Sequence, residues 1–324
     1  MNPPEAMKAI QIMKAAQINK YGGSEVVEIN GNAPKPAVSS GQLLIEVHAA
    51  GVNPVDWKIR EGYMQQMMLL KFPATLGGDF SGVITEVGAG VPGFKKGDEI
   101  YGFASSLRGG SGAFAEFVLA GAEFIAHKPG KISHVEAAAL PLAGVSAWQA
   151  LVDHIALSSG KKILIHGGAG GIGTMAIQIA RHLAAYVAAT AGAEDRQYVK
   201  ELGADEVIDY KKEPFEDLLR DYDAVFDTVG GETYIKSFKV LKKGGIIVSM
   251  LEQPRPELMK QYGVNAIGQF TQVTGERLSK LAELIDKRVI KVHVDKTFPL
   301  EHAGEALTYL QKGHPRGKVV LKIK

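Results

Sequence analysis

The sequence contains no cysteine among its 324 residues. Disulfides, thiolate nucleophiles, iron–sulfur clusters and cysteine-ligated zinc sites are therefore excluded as sources of function. The sequence also has little excess of charge of either sign, because 37 basic and 35 acidic residues give a formal net charge of +2. That surplus is too small to mark a surface for nucleic acid or anionic lipid, so we expect neither as a partner.

Long hydrophobic runs are missing as well. No stretch reaches the roughly 18 consecutive apolar residues of a membrane span, and the N-terminus lacks the basic and apolar regions of a secretory signal. We therefore expect a cytoplasmic protein that does not associate with membranes. The first twelve residues precede a strand-like stretch that starts at Met13, and we assign them no function.

Two parts of the chain differ in sequence pattern, which agrees with the two domains that its length predicts. From Met13 to about His127, glycine and proline separate short β-rich runs such as 43–47 and 82–87. This pattern predicts a compact, mostly-β domain. The final segment, from about Arg288 to Lys324, is too short to fold alone and is expected to rejoin that domain.

After Pro141 strand-like and helix-like segments alternate. Alternation of this kind predicts an α/β fold with a doubly wound parallel sheet and crossover helices. The predicted strands are 162–166, 186–190, 206–210, 224–229 and 245–250, and the predicted helices are 176–183, 195–202 and 233–241.

A glycine-rich turn stands between the first of these strands and the first helix. It has the spacing G-x-G-x-x-G and consists of Gly168, Ala169, Gly170, Gly171, Ile172 and Gly173. In a strand–turn–helix context this spacing places a pyrophosphate on the helix N-terminus. Gly168 would form the tight turn, Gly170 would let backbone amides reach phosphate, and Gly173 would allow close helix packing. The alternative is a glycine-rich loop without a ligand.

The end of the second strand indicates which dinucleotide is bound. NAD sites usually place a carboxylate there, whereas this strand ends in Thr190, Ala191 and Gly192. The small neutral tip leaves room for a 2′-phosphate, with Arg196 as the cationic partner. NADP(H) is therefore the expected cofactor. Two acidic residues just before Arg196 keep NAD(H) as an alternative, and a solvated helix charge is the alternative for Arg196 itself.

In its motifs the chain resembles the medium-chain dehydrogenase/reductase superfamily, in particular its zinc-free quinone oxidoreductase and alkenal reductase branch. The resemblance spans nearly the whole chain. It rests on AGVNPVD at 50–56, GGDFSG at 77–82, KGD at 96–98, ALP at 139–141, the glycine turn, LGAD at 202–205 and GKVVL at 317–321.

The resemblance implies a split GroES-like catalytic domain built from both chain ends around a Rossmann dinucleotide-binding domain. We place the boundaries at residues 13–136, 137–273 and 274–324. Zinc-dependent members carry a cysteine in the first motif and a His-Glu pair in the second, where this chain has Asn53 and Gly78-Asp79. An aspartate without a thiolate or imidazole beside it does not supply the three protein ligands of a catalytic zinc, so we expect no metal.

Three side chains are candidates for the catalytic site. By resemblance, Asn53 lies near the nicotinamide, and Lys58 stands where related reductases place a side chain that contacts the cofactor. Tyr63 is a candidate hydroxyl donor to the acceptor oxygen. Each has a structural alternative: Asn53 as a turn residue before Pro54, Lys58 as a surface charge, and Tyr63 as a partly buried structural tyrosine.

Further candidates lie at strand ends. Thr228 and Val229 follow the fourth Rossmann strand at the cofactor crevice, and by resemblance this turn, with Met250 and Leu251, borders the nicotinamide half. Tyr210 resembles the tyrosine that lies near the adenosine 2′-phosphate in relatives. The apolar run 64–70 is a candidate pocket lining or ordinary core, and His166 is expected to be structural.

Without a metal, the predicted chemistry is hydride transfer from NADPH to an acceptor that is already electrophilic, a quinone or an α,β-unsaturated carbonyl. Two alternatives remain: a zinc-independent reductase or dehydrogenase of another carbonyl, and a nucleotide-binding protein with little turnover. We also expect a homodimer formed through an edge of the Rossmann sheet, at about 265–273.

Overall fold

A computed structural model of the chain describes residues 11–66, 69–106 and 110–324. Residues 1–10 of the unassigned N-terminal stretch, and Met67 and Met68 of the apolar run, lie outside the described residues. In the described part of the chain, no helix is long and apolar enough to cross a membrane.

The described residues form short strands and helices that alternate along most of the chain. The strands are β1 Ile12–Ile18, β2 Glu28–Pro34, β3 Gln42–Val52, β4 Ala74–Thr75, β5 Asp79–Val87, β6 Glu99–Phe103, β7 Phe117–Gly121, β8 Ile125–His127, β9 Lys162–Ile165, β10 Tyr186–Ala191, β11 Glu206–Asp209, β12 Tyr222–Asp227, β13 Leu241–Ser249, β14 Asn265–Gly268, β15 Val294–Pro299 and β16 Lys318–Lys322. The α-helices are α1 Pro54–Arg60, α2 His134–Ala138, α3 Pro141–Trp148, α4 Gly171–His182, α5 Arg196–Leu202, α6 Phe215–Leu218, α7 Gly231–Ser237, α8 Pro256–Tyr262, α9 Gly275–Asp286 and α10 Ala303–Lys312.

Six strands in the middle of the chain form one parallel sheet in the order β11-β10-β9-β12-β13-β14. Counted from β9, this is the 3-2-1-4-5-6 order of a doubly wound Rossmann sheet. The predicted α/β fold class is therefore confirmed. The strand order reverses between β9 and β12, and ligands of such sheets bind in the crevice at the carboxyl ends of the strands flanking that point.

Alternating residues of the central strands face two different apolar layers, as the period of two requires. Ile163 and Ile165 pack with α3, α4 and α9, whereas Leu164 packs on the opposite face with Phe215 and Phe238. The sheet is therefore covered on both faces at its centre, where β9 and β12 are largely buried apolar runs, whereas β13 and the edge strand β14 contain exposed residues.

The mostly-β part of the chain is built from both chain ends, as its motifs imply. Strand β16 pairs antiparallel with β3, which places Val320 opposite Gly51, and β15 pairs parallel with β16. These strands extend the sheet of β3, β5, β6 and β8, while β1, β2 and β4 form a smaller sheet. The three domain boundaries given above stay our proposal.

Two helix predictions differ from the structure. The helix predicted over 176–183 already begins at Gly171. The helix predicted over 233–241 is α-helical to Ser237 and continues as a 3-10 helix over Phe238–Val240, whereas Leu241 already belongs to β13, where it pairs with Tyr222 of β12. Pairing with the neighbouring strand overrides the helical period at Leu241, because this residue pairs with β12 and its side chain is buried.

Candidate active site

The glycine turn lies between the end of β9 and the start of α4. Gly170 is the N-cap of α4 and has no side chain to accept hydrogen bonds from the amides of the first turn. The turn is held by the neighbouring strand β10, because the Gly168 amide donates to the Thr190 carbonyl at 2.8 Å. The first turn of this twelve-residue helix therefore has no side-chain cap, so its amides could bind an anion.

The glycines of the turn serve two different purposes. A Cβ on Gly173 would lie 2.1 Å from the Gly167 carbonyl oxygen, so only glycine lets helix α4 approach the turn this closely. A Cβ on Gly168 would lie 3.0 Å from the Ala189 side chain. At Gly170 the nearest atom would be 3.4 Å away, which is ordinary contact. Gly173 thus serves packing, whereas nothing within the fold requires glycine at position 170.

The other members of the turn contact the rest of the protein. The Ala169 carbonyl accepts a hydrogen bond from the Gly317 amide at 2.8 Å, and Gly170 forms a parallel bridge with Gly317. Ile172 packs against the apolar layer that contains α4. A Cβ on Gly171 would lie 2.8 Å from Cδ of Lys318. The glycine turn is therefore packed directly against the start of the last strand of the chain.

Thr190 supports the turn from the neighbouring strand. Its buried hydroxyl accepts from the Gly167 amide at 3.3 Å and lies 3.1 Å from Nδ1 of His166. The other imidazole nitrogen, Nε2, lies 2.9 Å from the Ser237 hydroxyl. Burial lowers the pKa of His166 to about 4, so the ring is neutral and bridges two hydroxyls. These contacts agree with the structural role expected for His166.

The predicted adenosine end contains more charge than the sequence indicated. Arg196 forms an ion pair with Glu213 at 2.6 Å. Gly192 is buried, and a Cβ there would meet the carboxylate of Glu194 at 2.6 Å. Tyr210 is 56% exposed at the end of the third Rossmann strand. These residues lie around the ends of β10 and β11, at the crevice edge of the sheet.

Sequence reasoning missed two cations in the same region. Lys211 pairs with Glu194 at 2.9 Å, and Arg316 pairs with Asp195 and donates to the Glu194 carbonyl at 2.7 Å. Lys211 directly follows Tyr210, and that adjacency was an available signal. Arg316 comes from the other end of the chain, so no local spacing pointed to it.

The turn after β12 is held by a buried carboxylate. Asp227 Oδ1 accepts hydrogen bonds from the amides of Val229 and Gly230 at 3.0 and 2.9 Å, and Oδ2 accepts from the Ser249 hydroxyl at 2.7 Å. The Thr228 hydroxyl donates to the His166 carbonyl at 2.8 Å. This network ties the ends of β9, β12 and β13 together at the point where the strand order reverses.

Apolar side chains surround this turn. Val229 and Leu251 are 50% and 51% exposed, and Met250 is partly buried. The Met250 amide donates to the Asp227 carbonyl at 2.9 Å, which places the 250–251 segment beside the turn. The structure therefore brings the four residues predicted for the nicotinamide half to one edge of the sheet.

Gln269 is a candidate that the sequence did not reveal. Its Nε2 donates to the Ser146 carbonyl at 3.0 Å and lies 3.4 Å from the sulfur of Met250. The contact with a carbonyl fixes the amide orientation, since the opposite orientation would face two oxygens together. Oε1 is buried and has no hydrogen-bond partner among the described residues. A buried free acceptor beside Met250 suits the N–H of a carboxamide ligand.

Asn53 lies in a buried polar cluster at the start of α1. It is 3% exposed, its Nδ2 donates to Asp79 Oδ2 at 2.8 Å, and its backbone amide donates to Asp56 Oδ2 at 2.7 Å. Burial raises the pKa of Asp56 to about 7 and that of Asp79 to about 6, the latter against the opposing effect of the nearby Lys318 ammonium. Asn53 is therefore fixed from two sides by carboxyl groups.

The other two candidate catalytic residues lie outside this cluster. Lys58 is partly buried in the last turn of α1, with Nζ 5.7 Å from the centre of the Trp57 ring. Tyr63 is 70% exposed and packs edge-on against the same ring at 6.0 Å. This exposure is far from the partly buried structural tyrosine that was the alternative.

Asn53 and Asp79 stand in the two motifs in which zinc-dependent relatives carry metal ligands, and here their side chains hydrogen-bond to one another. Among the described residues, no group of three or more His, Asp and Glu side chains has the arrangement to hold a metal ion. An amide and a carboxylate that bind one another also have fewer free lone pairs for a cation. Zinc independence stays a prediction that requires an experiment.

The site as a whole fits a dinucleotide. The turn at 168–173 would hold the pyrophosphate, cations at the ends of β10 and β11 surround the adenosine end, and the free Gln269 acceptor lies at the other end of the crevice. The uncapped helix start and the buried free acceptor are features that bound phosphate and carboxamide would satisfy.

Comparisons with known proteins give the family. A sequence model described as "Alcohol dehydrogenase GroES-like domain" matches residues 39–130, and one described as "Zinc-binding dehydrogenase" matches residues 202–321. The chain is 38% identical to the 2-methylene-furan-3-one reductase of Solanum lycopersicum, over 95% of this chain and 79% of the relative. It is also 38% identical to the chloroplastic NADPH-dependent alkenal/one oxidoreductase of Arabidopsis thaliana, with the same coverage.

A solved structure extends this likeness to the fold. The quinone oxidoreductase from Coxiella burnetii superposes with a TM-score of 0.89 at 35% identity, covering 96% of this chain and 99% of that one. Its likeness spans both the Rossmann sheet and the mostly-β part. The chain belongs to the medium-chain dehydrogenase/reductase superfamily, in its zinc-free quinone oxidoreductase and alkenal reductase branch.

Proposed function

We propose that the protein is an NADPH-dependent oxidoreductase that reduces quinones or α,β-unsaturated carbonyls without a metal. The observation that carries the proposal is the direct junction between the glycine turn and the Asn53 cluster. Gly317 pairs with Gly170 of the turn, and the next residue, Lys318, reaches the Asn53 side chain. A phosphate-binding turn and a buried polar cluster therefore meet at one crevice between the two parts of the fold.

Bound NADPH supplies a hydride, and the residues of the chain bind, orient and exclude water around the reacting groups. Residues 168–173 hold the pyrophosphate, and Arg196, Tyr210 and Gly192 accommodate the 2′-phosphate. Thr190 supports the glycine turn by accepting hydrogen bonds from its backbone amides. Thr228, Val229, Met250 and Leu251 border the nicotinamide half, and Asn53 and Lys58 contact it from the opposite side.

The acceptor is an electrophile that requires little activation. The candidate donors at the site are amide and ammonium groups, and the exposed Tyr63 hydroxyl, which stabilise charge on an acceptor oxygen by hydrogen bonding. Quinones and enones need no stronger polarisation before hydride transfer. The half-exposed Val229 and Leu251 offer a flat apolar acceptor a surface at the crevice. Relatives named as an alkenal/one oxidoreductase and a quinone oxidoreductase support this substrate class.

The direct test is NADPH consumption by the purified protein with three acceptors: a quinone, an enal and a simple ketone. We expect turnover with the quinone or the enal, little with the ketone, faster rates with NADPH than with NADH, and no loss after prolonged treatment with a metal chelator. Turnover of the ketone alone would support reduction of another carbonyl. Saturable NADPH binding without turnover of any acceptor would support a binding protein instead.

A homodimer and a cytoplasmic location are further parts of the proposal. Strand β14 is the edge strand of the six-stranded sheet and covers the first part of the predicted pairing segment. Its open edge is a surface on which a second copy can continue the sheet. Light scattering of the purified protein tests the dimer, and a charged substitution of the partly buried Ile267 should weaken it. Cell fractionation tests the location, since the Arabidopsis relative is chloroplastic.

A further inference from the structure

Lys318 is a buried ammonium group that the proposed chemistry does not yet use. The residue is 3% exposed, and its Nζ donates to the Val52 carbonyl at 3.1 Å and to Oδ1 of Asn53. It also lies 3.9 Å from Oδ2 of the fully buried Asp79. The cation therefore belongs to the polar cluster around Asn53 and does not reach solvent.

Two oppositely charged groups determine the orientation of the Asn53 amide. Oδ1 faces the Lys318 ammonium, and Nδ2 donates to the Asp79 carboxylate at 2.8 Å. A flipped amide would place N–H groups against the ammonium and an oxygen against the carboxylate, so only one orientation is satisfied. The second hydrogen on Nδ2 is not used in the hydrogen bonds that the described residues make with this side chain.

Asp79 has no spare oxygen in this arrangement. Its Oδ2 accepts from Asn53, and its Oδ1 accepts from the backbone amide of Leu142 at 3.0 Å, in the first turn of α3. Helix α3 packs on the Rossmann sheet, whereas Asp79 and Asn53 belong to the mostly-β part. The carboxylate thus connects Asn53 to the second part of the fold.

Stability alone does not explain a buried ammonium at this position. Removing an ion pair from water has a cost that the attraction between the ions often fails to offset, and an apolar side chain of the same length would fill the space without it. The neighbours of Lys318 on the strand, Val319, Val320 and Leu321, are all fully buried and apolar. A charged residue in this apolar run indicates a role in the site.

The same lysine joins Asn53 to the phosphate turn. Gly317 donates to the Ala169 carbonyl at 2.8 Å, and the Lys318 side chain runs past Gly171, where a Cβ would lie 2.8 Å from its Cδ. The start of α4, the lysine stem and the Asn53 amide are therefore in one continuous set of contacts.

We propose that Lys318 and Asp79 are positioning residues that hold the Asn53 amide in one orientation, relative to the phosphate turn, for contact with the nicotinamide half of the cofactor. This inference rests on the proposed function, because Asn53 is assigned there to the cofactor. The lysine and the aspartate touch neither cofactor nor acceptor in this proposal and act through Asn53.

Two substitutions test the proposal at its two contacts. Lys318→Met keeps the length of the side chain and removes the ammonium, whereas Lys318→Arg keeps the charge. Asp79→Asn retains the shape but must turn an N–H toward either Asn53 or Leu142, since both present donors to it. Val320→Ala is the matched control, because Val320 is fully buried on the same strand and lies outside the cluster.

The first measurement uses the protein without cofactor, with ¹⁵N-labelled asparagine. In the wild type we expect the Asn53 side-chain amide, assigned with an Asn53→Ser variant, to be shifted from ordinary values and protected from exchange. Lys318→Met and Asp79→Asn should remove both properties, and Val320→Ala should retain them. An unchanged Asn53 resonance in folded Lys318→Met would overturn the proposal. If Lys318→Met does not fold, Asp79→Asn decides in the same way.

The second measurement is turnover with NADPH and with NADPH deuterated at C4. We expect kcat to fall about 10- to 100-fold in Lys318→Met and Asp79→Asn, with a larger deuterium isotope effect because hydride transfer becomes rate-limiting. Lys318→Arg should recover part of the loss, and Val320→Ala should lower the melting temperature with kcat within about twofold. Equal kcat losses in Val320→Ala and Lys318→Met would overturn the positioning role.

The two measurements separate this inference from the proposed function. If no acceptor is reduced by the wild type but the Asn53 resonance responds as expected, the orientation of Asn53 by Lys318 and Asp79 stands and the assigned activity fails. If the wild type turns over and the resonance does not respond, the activity stands and the positioning proposal fails.

Discussion

The glycine turn allows ligand binding and packing to be separated by two neighbouring substitutions. In Gly173→Ala the new Cβ would lie 2.1 Å from the Gly167 carbonyl oxygen and 2.8 Å from the Gly168 Cα. Backbone atoms have no rotamer with which to move aside, so helix and turn must separate by roughly 1 Å. Overpacking of this kind costs about 1–3 kcal/mol, which lowers the melting temperature by several degrees.

Gly170→Ala should behave in the opposite way. The new Cβ would lie 3.4 Å from the nearest atom, and Gly170 has φ −77°, which any residue adopts. The fold should therefore lose at most about 1 kcal/mol, because alanine is a poorer N-cap residue than glycine but meets no clash at this position. The methyl group would instead keep phosphate from the first-turn amides, and one charge-assisted hydrogen bond is worth about 1.5–3 kcal/mol. We expect the NADPH dissociation constant to rise about 10- to 150-fold.

Both quantities are accessible for each variant. Calorimetric or urea unfolding without cofactor gives the stability, and quenching of tryptophan fluorescence by NADPH gives the dissociation constant. The reasoning is refuted if Gly170→Ala binds NADPH as tightly as the wild type, or if it is destabilised as much as Gly173→Ala. The first result would show that position 170 does not face the pyrophosphate, and the second would show that the fold itself requires glycine there.

Three further predictions concern single side chains. Arg196→Ala should raise KM for NADPH by about 10-fold or more and leave KM for NADH within about twofold, because only NADPH carries the 2′-phosphate. Equal changes of KM for both cofactors in steady-state assays would show that Arg196 does not determine cofactor specificity. Burial raises the pKa of Asp56 from 3.8 to about 7, so its carboxyl takes up a proton on folding, and the associated stability is lost as pH rises through about 7. Asp56→Asn should therefore stabilise the protein more at pH 8 than at pH 4.5 in urea unfolding, by at most about 1.4 kcal/mol per pH unit across that window; a pH-independent difference would contradict the raised pKa. His166→Leu should lower the free energy of unfolding by about 1–3 kcal/mol, because the hydroxyls of Thr190 and Ser237 lose a buried partner. The same variant should keep kcat within about threefold of the wild type. A kcat loss of 100-fold or more would instead indicate acid–base catalysis by His166.

The sequence predicted those features that depend on local pattern. The alternation after Pro141 predicted the Rossmann sheet, and G-x-G-x-x-G predicted the turn, because hydrophobic period and glycine spacing act over a few residues. The site residues at strand ends also followed from local order, since the carboxyl ends of parallel strands share one edge.

The missed residues depend on contacts between distant segments. Lys318 was read only as part of a family motif, because nothing in GKVVL indicates that its ammonium lies against Asn53, 265 positions earlier. Arg316 pairs with Asp195 across 121 positions, and Gln269 is notable only because one of its buried atoms lacks a partner among the described residues. Pairings of this kind arise from the tertiary fold and leave no periodic signal.

The pairing of β16 with β3 has a consequence for the order in which the protein forms. Strand β3 comes early in synthesis, yet its partner, and the lysine that reaches back over 266 positions to Val52, emerges only after the entire Rossmann segment. The edge of β3 that pairs with β16 therefore stays without its partner until the Rossmann half, whose strands are consecutive, has been synthesised. Because Gly317 also pairs with the glycine turn, the contacts that join this turn to the mostly-β part are completed only at that last step.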